Sequence, residues 1–200
     1  GAWPADLYYG ELDGLWRDDT TNIQTAFEQR NHNVPGDGKF DNVFIPSDVD
    51  LQVGRVDLYN LPFFEESEIE LLRNYLDKDH KYRNGLMNVV DSAIVNDRFG
   101  NVYIEAFAAG GLLNFYNLFD DRINTEDYLR FAIQNENRNY KWTYGCGPGS
   151  YISAHDIAYS EEFADTIQNA VFSLIFGSYH GDWDSENNLL RSALASKPSI

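Results

Sequence analysis

Two short segments of the chain carry residues that could act together as a nucleophile and its base. Cys146 lies within Tyr144–Gly147, and His180 ends the segment Phe176–His180. Both segments follow apolar runs and leave them through glycine, which permits sharp turns and close approach of a ligand. Neighbouring strands lie about 4.8 Å apart, so side chains at their ends can meet. A thiol beside an imidazole is the minimum for a cysteine nucleophile, because the thiolate is the reactive species. Cys146 and His180 are the candidate catalytic pair.

A structural interpretation of the same two residues stays open beside the catalytic one. A free cysteine is more often a small buried apolar side chain than a nucleophile, and His180 would then be an exposed loop residue. In the catalytic interpretation, backbone N–H groups near Cys146 hold an oxyanion and nearby aromatic side chains line a groove. The candidate binding residues all lie at these strand ends or just after them: Gly145, Gly147, Ser178, Tyr179 and Trp183.

The glycine-rich turn after Tyr144 does not predict a phosphate-binding loop. Its spacing is not GxGxxG, and Pro148 lacks one of the N–H donors that a phosphate cradle needs. A second candidate site lies in the long acidic loop over residues 17–48, where Asp37, Asp41 and Asp48 place carboxylates around a glycine turn. Calcium prefers six to eight such oxygens, so we expect this loop to offer a structural Ca²⁺ site, with a solvated polar turn as the alternative. No cofactor is required by this interpretation.

The elements that must position these residues alternate between strands and helices. Ser67 and Glu70 form a capping-box pattern that predicts a helix over 67–83, with an apolar face at Ile69, Leu72 and Leu76. The pattern predicts further helices over 103–119, 125–133, 160–168 and 185–194, and strands over 7–12, 49–56, 86–95, 140–144 and 170–176. This alternation is typical of an α/β domain with a mainly parallel sheet and right-handed crossovers.

Composition and charge exclude several classes of protein. The 200 residues carry 15 basic and 32 acidic side chains, which gives a formal net charge of −17 and repels nucleic acids. An apolar fraction of 43% excludes a disordered chain. No apolar run approaches the roughly 18 residues of a membrane span, and one cysteine excludes an internal disulfide. We expect one domain over residues 1–200, cut from a longer chain, with a peptide or protein as its partner.

Short motifs lie in five segments of the chain: Leu7–Gly14, Asp48–Val56 with its Val-Gly-Arg sequence, Leu76–His80, Lys141–Gly147 and Val171–Ser178. Together they resemble the motifs of gingipain-type cysteine peptidases. The resemblance extends over most of the chain and implies a caspase-like three-layer sandwich, with helices on both faces of a mainly parallel sheet. It also implies a secreted or surface-bound bacterial protein and calcium in the acidic loop.

The two positions that correspond to the catalytic residues of that family are substituted. Cys146 stands where the family has its histidine, and Ser178 stands where it has its nucleophilic cysteine. Neither role carries over, because a cysteine is a poor general base for a hydroxyl group. Three hypotheses follow: a gingipain-like domain that has lost peptidase chemistry, an active cysteine hydrolase that uses Cys146 and His180, or a structural, protein-binding or carbohydrate-binding module.

Overall fold

The computed structural model describes residues 6–19, 34–40, 48–99, 106–125 and 139–198. Its helices are α1 (Asp6–Gly10), α2 (Glu68–Arg83), α3 (Ala106–Phe119), α4 (Ser160–Asp165) and α5 (Leu189–Ala195). Its strands are β1 (Ala93–Asp97), β2 (Ile123–Asn124), β3 (Tyr140–Cys146), β4 (Gly149–Ser150), β5 (Ser153–Ala154), β6 (Ala158–Tyr159), β7 (Ile167–Gln168), β8 (Ala170–Phe176) and β9 (Lys197–Pro198). The predicted helix over 125–133 lies almost wholly outside the described residues.

The chain divides into two compact units. One contains Gly1–Val56 with Gly181–Asp184, and the other contains Asp57–His180 with Ser185–Ile200. The expectation of one domain over residues 1–200 stays a prediction.

A parallel sheet forms the centre of the larger unit, as the sequence predicts for an α/β protein. Its four strands are ordered β2-β1-β3-β8, and every pairing between them is parallel. Two smaller ladders accompany it, an antiparallel one of β4, β5 and β6 and a parallel one of β7 and β9. The apolar run of β1 is fully or almost fully buried from Ala93 to Val95, as expected of a central parallel strand.

Helices pack on both faces of this sheet. Ile94 belongs to a cluster with Leu71 of α2, Phe163 of α4 and Leu189 of α5. The flanking residue Val95 belongs instead to a cluster with Phe115 and Phe119 of α3. Since successive side chains of a strand point to opposite faces, α3 covers one face and the other three helices cover the opposite face.

The start of α2 confirms the predicted capping box. The Ser67 N–H donates to Glu70 Oε2 over 2.8 Å, and the Glu70 N–H reaches Ser67 Oγ over 3.5 Å. The predicted apolar face of this helix is wrong, however, because Ile69, Leu72 and Leu76 are all exposed. The helix instead docks on a stripe one residue away.

That stripe consists of Leu71, Tyr75 and Lys78, at the spacing expected for one face of a helix. Lys78 Nζ donates to the carbonyl oxygens of Leu194 and Ser196 over 2.8 and 2.6 Å, and so ties α2 to the end of α5. Burial lowers the pKa of Lys78 to about 8. A lysine thus occupies a docking position on a face of the helix that the apolar pattern did not indicate.

Two predicted strands of the smaller unit are not strands. Asp6–Gly10 is the short helix α1. The strand prediction failed here because so short a run does not distinguish the periodicity of a strand from that of a helix. Residues 49–56 form no regular strand, since the N–H groups of Asp50 and Leu51 both donate to the Gly10 carbonyl. These bonds tie the segment to the end of α1 and leave Val49, Leu51, Val53 and Val56 exposed.

Among the described helices, none combines the length and the apolar character needed to cross a membrane.

Candidate functional site

The carboxyl ends of β1, β3 and β8 lie side by side. We call this end of the sheet, with the loops that follow the three strands, the carboxyl edge. Asp97, Cys146 and Phe176 lie beside one another in register. The Gly147 N–H donates to the Phe176 carbonyl over 3.1 Å, and the Arg98 N–H donates to the Cys146 carbonyl over 2.7 Å. The prediction that the segments ending at Tyr144 and Phe176 lie side by side is therefore confirmed.

Cys146 is a buried, protonated thiol at this edge. It is 0% exposed, and its Sγ donates to Asp97 Oδ1 over 3.1 Å. Burial raises the pKa of Cys146 to about 12, with a further contribution from the bond to Asp97. The Tyr144 hydroxyl also bonds to the thiol and acts in the opposite direction, but more weakly. Almost none of the nucleophilic thiolate is present at neutral pH.

His180 is also buried, but it has different partners. Its side chain is 4% exposed, and its Nε2 lies 3.0 Å from the Ser153 carbonyl of β5, to which it donates. Its Nδ1 is buried without a partner among the described residues, and its own carbonyl accepts a bond from Asn188 Nδ2 over 3.0 Å. Burial lowers the pKa of His180, so the ring is neutral at pH 7.

Two glycines make room for this ring. A Cβ on Gly149 would lie 2.7 Å from His180 Nε2, and a Cβ on Gly177 would lie 2.5 Å from His180 Cε1. The loops after β3 and β8 therefore need glycine at these positions because an imidazole fills the space. The sequence pattern predicts sharp turns and close approach of a ligand at such glycines, but not a buried ring beside them.

Cys146 and His180, the predicted catalytic pair, share no hydrogen bond among the described contacts, and their catalytic role stays a prediction. In the described part of the chain, the thiol of Cys146 bonds to Asp97 and Tyr144, whereas the ring of His180 bonds to Ser153. Strand alternation gives the physical reason, because Cys146 shares a face of β3 with Tyr144, whose ring contacts Phe115 of α3. The structural interpretation of Cys146 as a buried side chain is confirmed, but the one of His180 as an exposed loop residue is wrong.

The other predicted binding residues have separate positions. Gly145 and Gly147 are buried backbone at the end of β3, and Ser178 is exposed in the loop after β8. Trp183 is half-buried and belongs to the smaller of the two compact units, so it is not counted with the carboxyl edge.

Two tyrosines form the exposed surface of the carboxyl edge. The rings of Tyr151 and Tyr179 lie 5.4 Å apart at an interplanar angle of 55°. Tyr179 is 60% exposed and has a φ of +67°, a left-handed conformation that is strained for a bulky residue. Its neighbour His180 is anchored at both ring and carbonyl, which holds Tyr179 in this position.

Sequence reasoning missed Tyr151 and Asp97. An acid two residues after a buried apolar run, as Asp97 is after Val95, is a signal that could have indicated the thiol's partner. Tyr151 carries no comparable signal, because its contact with Tyr179 joins two loops that are distant in sequence.

Two of the three predicted metal ligands lie in the part of the chain that the structure describes. The Asp37 carboxylate accepts N–H bonds from Val34 and Lys39, and these bonds hold its pKa below the usual value. Asp48 is exposed, and Asp41 lies outside the described residues. Within the described ranges, no group of three acidic, histidine or cysteine side chains could hold a metal ion.

Comparison with known proteins returned no significant match to any family model, curated protein or solved structure.

Proposed function

We propose that this chain is a caspase-like domain without peptidase activity, and that it binds a polypeptide segment at the carboxyl edge through Tyr151 and Tyr179. The four-stranded parallel sheet with helices on both faces is compatible with the caspase-like sandwich that the gingipain resemblance implies. Two observations carry the proposal: the pair of exposed tyrosine rings, and a thiol and an imidazole that have separate, structural partners.

Three contacts support the absence of peptidase chemistry. The Cys146 thiol donates to the Asp97 carboxylate, which opposes its ionisation, and none of its described bonds is to an imidazole. The ring of His180 uses Nε2 as a donor, so that nitrogen cannot accept a proton from a nucleophile. Ser178, at the position of the family's nucleophile, has no described bond to an imidazole and therefore nothing to activate its hydroxyl.

The tyrosine pair supports binding. Tyrosine provides a large contact area with few rotatable bonds and a hydroxyl that can bond to a peptide backbone. A strained conformation that the surrounding structure maintains is found most often at functional sites. The left-handed φ of Tyr179, next to the anchored His180, is such a conformation.

The charge of the chain favours a neutral or basic peptide. A net charge of −17 attracts cationic ligands and repels acidic ones. The gingipain resemblance also supports a secreted or surface location in bacteria and a structural Ca²⁺ in the acidic loop, and both are parts of this proposal.

Selection from a displayed peptide library, followed by calorimetry with the selected peptides, tests the binding. Truncating Tyr151 or Tyr179 to alanine should weaken binding about tenfold or more, because buried aromatic contacts dominate interface energies. Tyr59→Ala is the matched control, since Tyr59 is an equally exposed tyrosine of the same unit outside the carboxyl edge. Equal losses in all three variants would show that the tyrosine pair is not the site.

A casein-hydrolysis assay tests the loss of peptidase activity. Wild type and Cys146→Ala should both give the background rate, with or without a reducing agent. Hydrolysis by wild type that Cys146→Ala abolishes would refute this part of the proposal and favour the cysteine hydrolase.

A further inference from the structure

Strand β8 lies at one end of the described sheet, with β3 on one side. It has seven residues, Ala170–Phe176, with no proline and no charged side chain. Proteins usually protect such an edge with charges, proline or a covering segment, because its unpaired backbone groups can accept another strand. None of these protections belongs to β8 itself.

The hydrogen bonds between β8 and β3 identify which backbone groups of β8 point away from β3. The Phe176 carbonyl accepts from Gly147 on the β3 side, and the register continues without a break from Phe176 back to Phe172. Backbone groups of successive strand residues point to opposite edges. The N–H and C=O groups of Ser173 and Ile175 therefore point away from β3, whereas those of Leu174 point toward it.

The side chains of β8 are unusually exposed for an apolar strand. Phe172 and Leu174 share one face of the strand and are 37% and 47% exposed. The Phe172 ring stacks on Trp142 of β3 at 4.7 Å and meets the edge of Tyr82 of α2 at 5.3 Å, so Leu174 is the more exposed residue of this pair. A strand added beside β8 would bury this apolar stripe with its own apolar side chains.

The neighbouring ladder provides a precedent for the direction of such a strand. β9 pairs with β7 in parallel, with Ile167 beside Lys197 and Gln168 beside Pro198, and β7 leads into β8 after one residue. The described neighbour of β8 on its other side, β3, is also parallel to it. A strand added in parallel therefore repeats the type of pairing that both neighbouring ladders already use.

We infer that the outer edge of β8, which pairs with no further strand among the described residues, binds an extended, apolar polypeptide segment of a partner protein by parallel strand addition. The segment is neutral or basic, because the net charge of −17 opposes a strongly acidic partner. The same repulsion opposes a second copy of this chain. This surface is separate from the tyrosine pair of the carboxyl edge.

The probe is a synthetic peptide with the β8 sequence Ala-Val-Phe-Ser-Leu-Ile-Phe between paired lysines, and its counterpart has paired aspartates. On addition of the lysine peptide, amide hydrogen exchange should slow about tenfold or more at Ser173 and Ile175, which gain partners. Exchange at Leu174 should stay unchanged, since its N–H already faces β3. Unchanged exchange at Ser173 and Ile175 at a saturating peptide concentration would overturn the inference.

Ile175→Pro removes one outward N–H without removing a bond to β3, and proline is tolerated at such a position. This variant should bind the lysine peptide about tenfold more weakly than wild type, whereas Ile175→Val should bind it with wild-type affinity. If the proline variant does not fold, Leu174→Lys provides the same test by placing a like charge under the peptide, with Leu76→Lys on the exposed face of α2 as its control. Wild-type affinity in Leu174→Lys would refute the site.

Two outcomes would reassign the edge. Tighter binding of the aspartate peptide, or a dimer in sedimentation that Ile175→Pro abolishes, would overturn the assigned partner. Tyr179→Ala should leave binding of the lysine peptide unchanged. A tenfold loss in that variant would place the peptide at the carboxyl edge and refute this inference while supporting the proposed function.

Discussion

Replacing Asp97 with asparagine should make the Cys146 thiol easier to ionise, and the structure gives the size of the effect. The thiol sulfur lies 3.1 Å from Asp97 Oδ1. Two unit charges at that distance repel by about 1.3 kcal/mol even in the dielectric of water, and by more in a buried site. Removing the carboxylate charge should therefore raise the thiolate fraction about tenfold or more.

The rate of alkylation by iodoacetamide, followed by mass spectrometry, measures this change. In wild type a pKa of about 12 leaves about three-thousandfold less thiolate at pH 7.5 than an ordinary thiol. A more basic thiolate is also more nucleophilic, and this offsets a factor of roughly thirty to fifty of the loss in thiolate. Native wild type should thus react at least about fiftyfold more slowly than denatured protein, and its rate should rise with pH through 8.5 without a plateau.

Two variants with opposite expected effects on the alkylation rate make the test specific. Asp97→Asn should speed alkylation about threefold to tenfold, and Tyr144→Phe should slow it because the tyrosine hydroxyl stabilises the thiolate. Asp91→Asn is the control, since its carboxylate pairs with Arg122 and Lys141 instead. Rapid labelling of native wild type with a plateau below pH 8.5 would refute the reasoning and restore Cys146 as a candidate nucleophile.

Three further predictions concern pH and packing. Stability should fall as the pH drops below about 6.5, because burial lowers the pKa of His180 and the unfolded chain binds the proton more tightly; melting temperatures of wild type and His180→Gln from pH 7.5 to 5.0 measure this. Stability should rise by about 1–3 kcal/mol between pH 8 and 10.5 as the Lys78 proton is released, and denaturant titrations of wild type and Lys78→Met isolate the effect. In α3, Gly110→Ala should stabilise by about 0.5–1 kcal/mol, because nothing lies within 4 Å of the new Cβ. Gly111→Ala should destabilise by about 1–3 kcal/mol, since its Cβ would lie 2.7 Å from Tyr144 Cε1, and thermal unfolding compares the two.

Each of these predictions has a contrary outcome. Equal acid sensitivity in wild type and His180→Gln would show that another group controls stability below pH 6.5. A pH profile for Lys78→Met that parallels wild type would show that this lysine has an ordinary pKa in the folded state. Equal effects of alanine at the two glycines of α3 would contradict the contact between Gly111 and the Tyr144 ring.

Local features of the fold could be predicted from the sequence. The Ser67–Glu70 capping box acts within one helical turn, and the apolar runs of β3 and β8 specify strands through their own composition. Their parallel pairing followed from alternation of strands and helices, which limits how the chain can cross over. These features depend on residues close in sequence or on general rules of chain connection.

The contacts of the site could not be predicted in this way. The sequence placed Cys146 and His180 at neighbouring strand ends, and they are there, yet one bonds to Asp97 and the other to Ser153. The docking stripe of α2 was likewise missed by one residue, because Lys78 replaces an apolar side chain by bonding to the end of α5.

By itself, the amino-acid sequence determined the acidic charge, the capped helix and the apolar strands of a parallel sheet. Only the tertiary structure decided that the thiol is held protonated by a carboxylate and that the imidazole fills the space beside two glycines. The physical reason is that hydrogen-bond partners depend on which face a side chain occupies and on what packs there. Those neighbours come from segments far apart along the chain, so local pattern leaves them open.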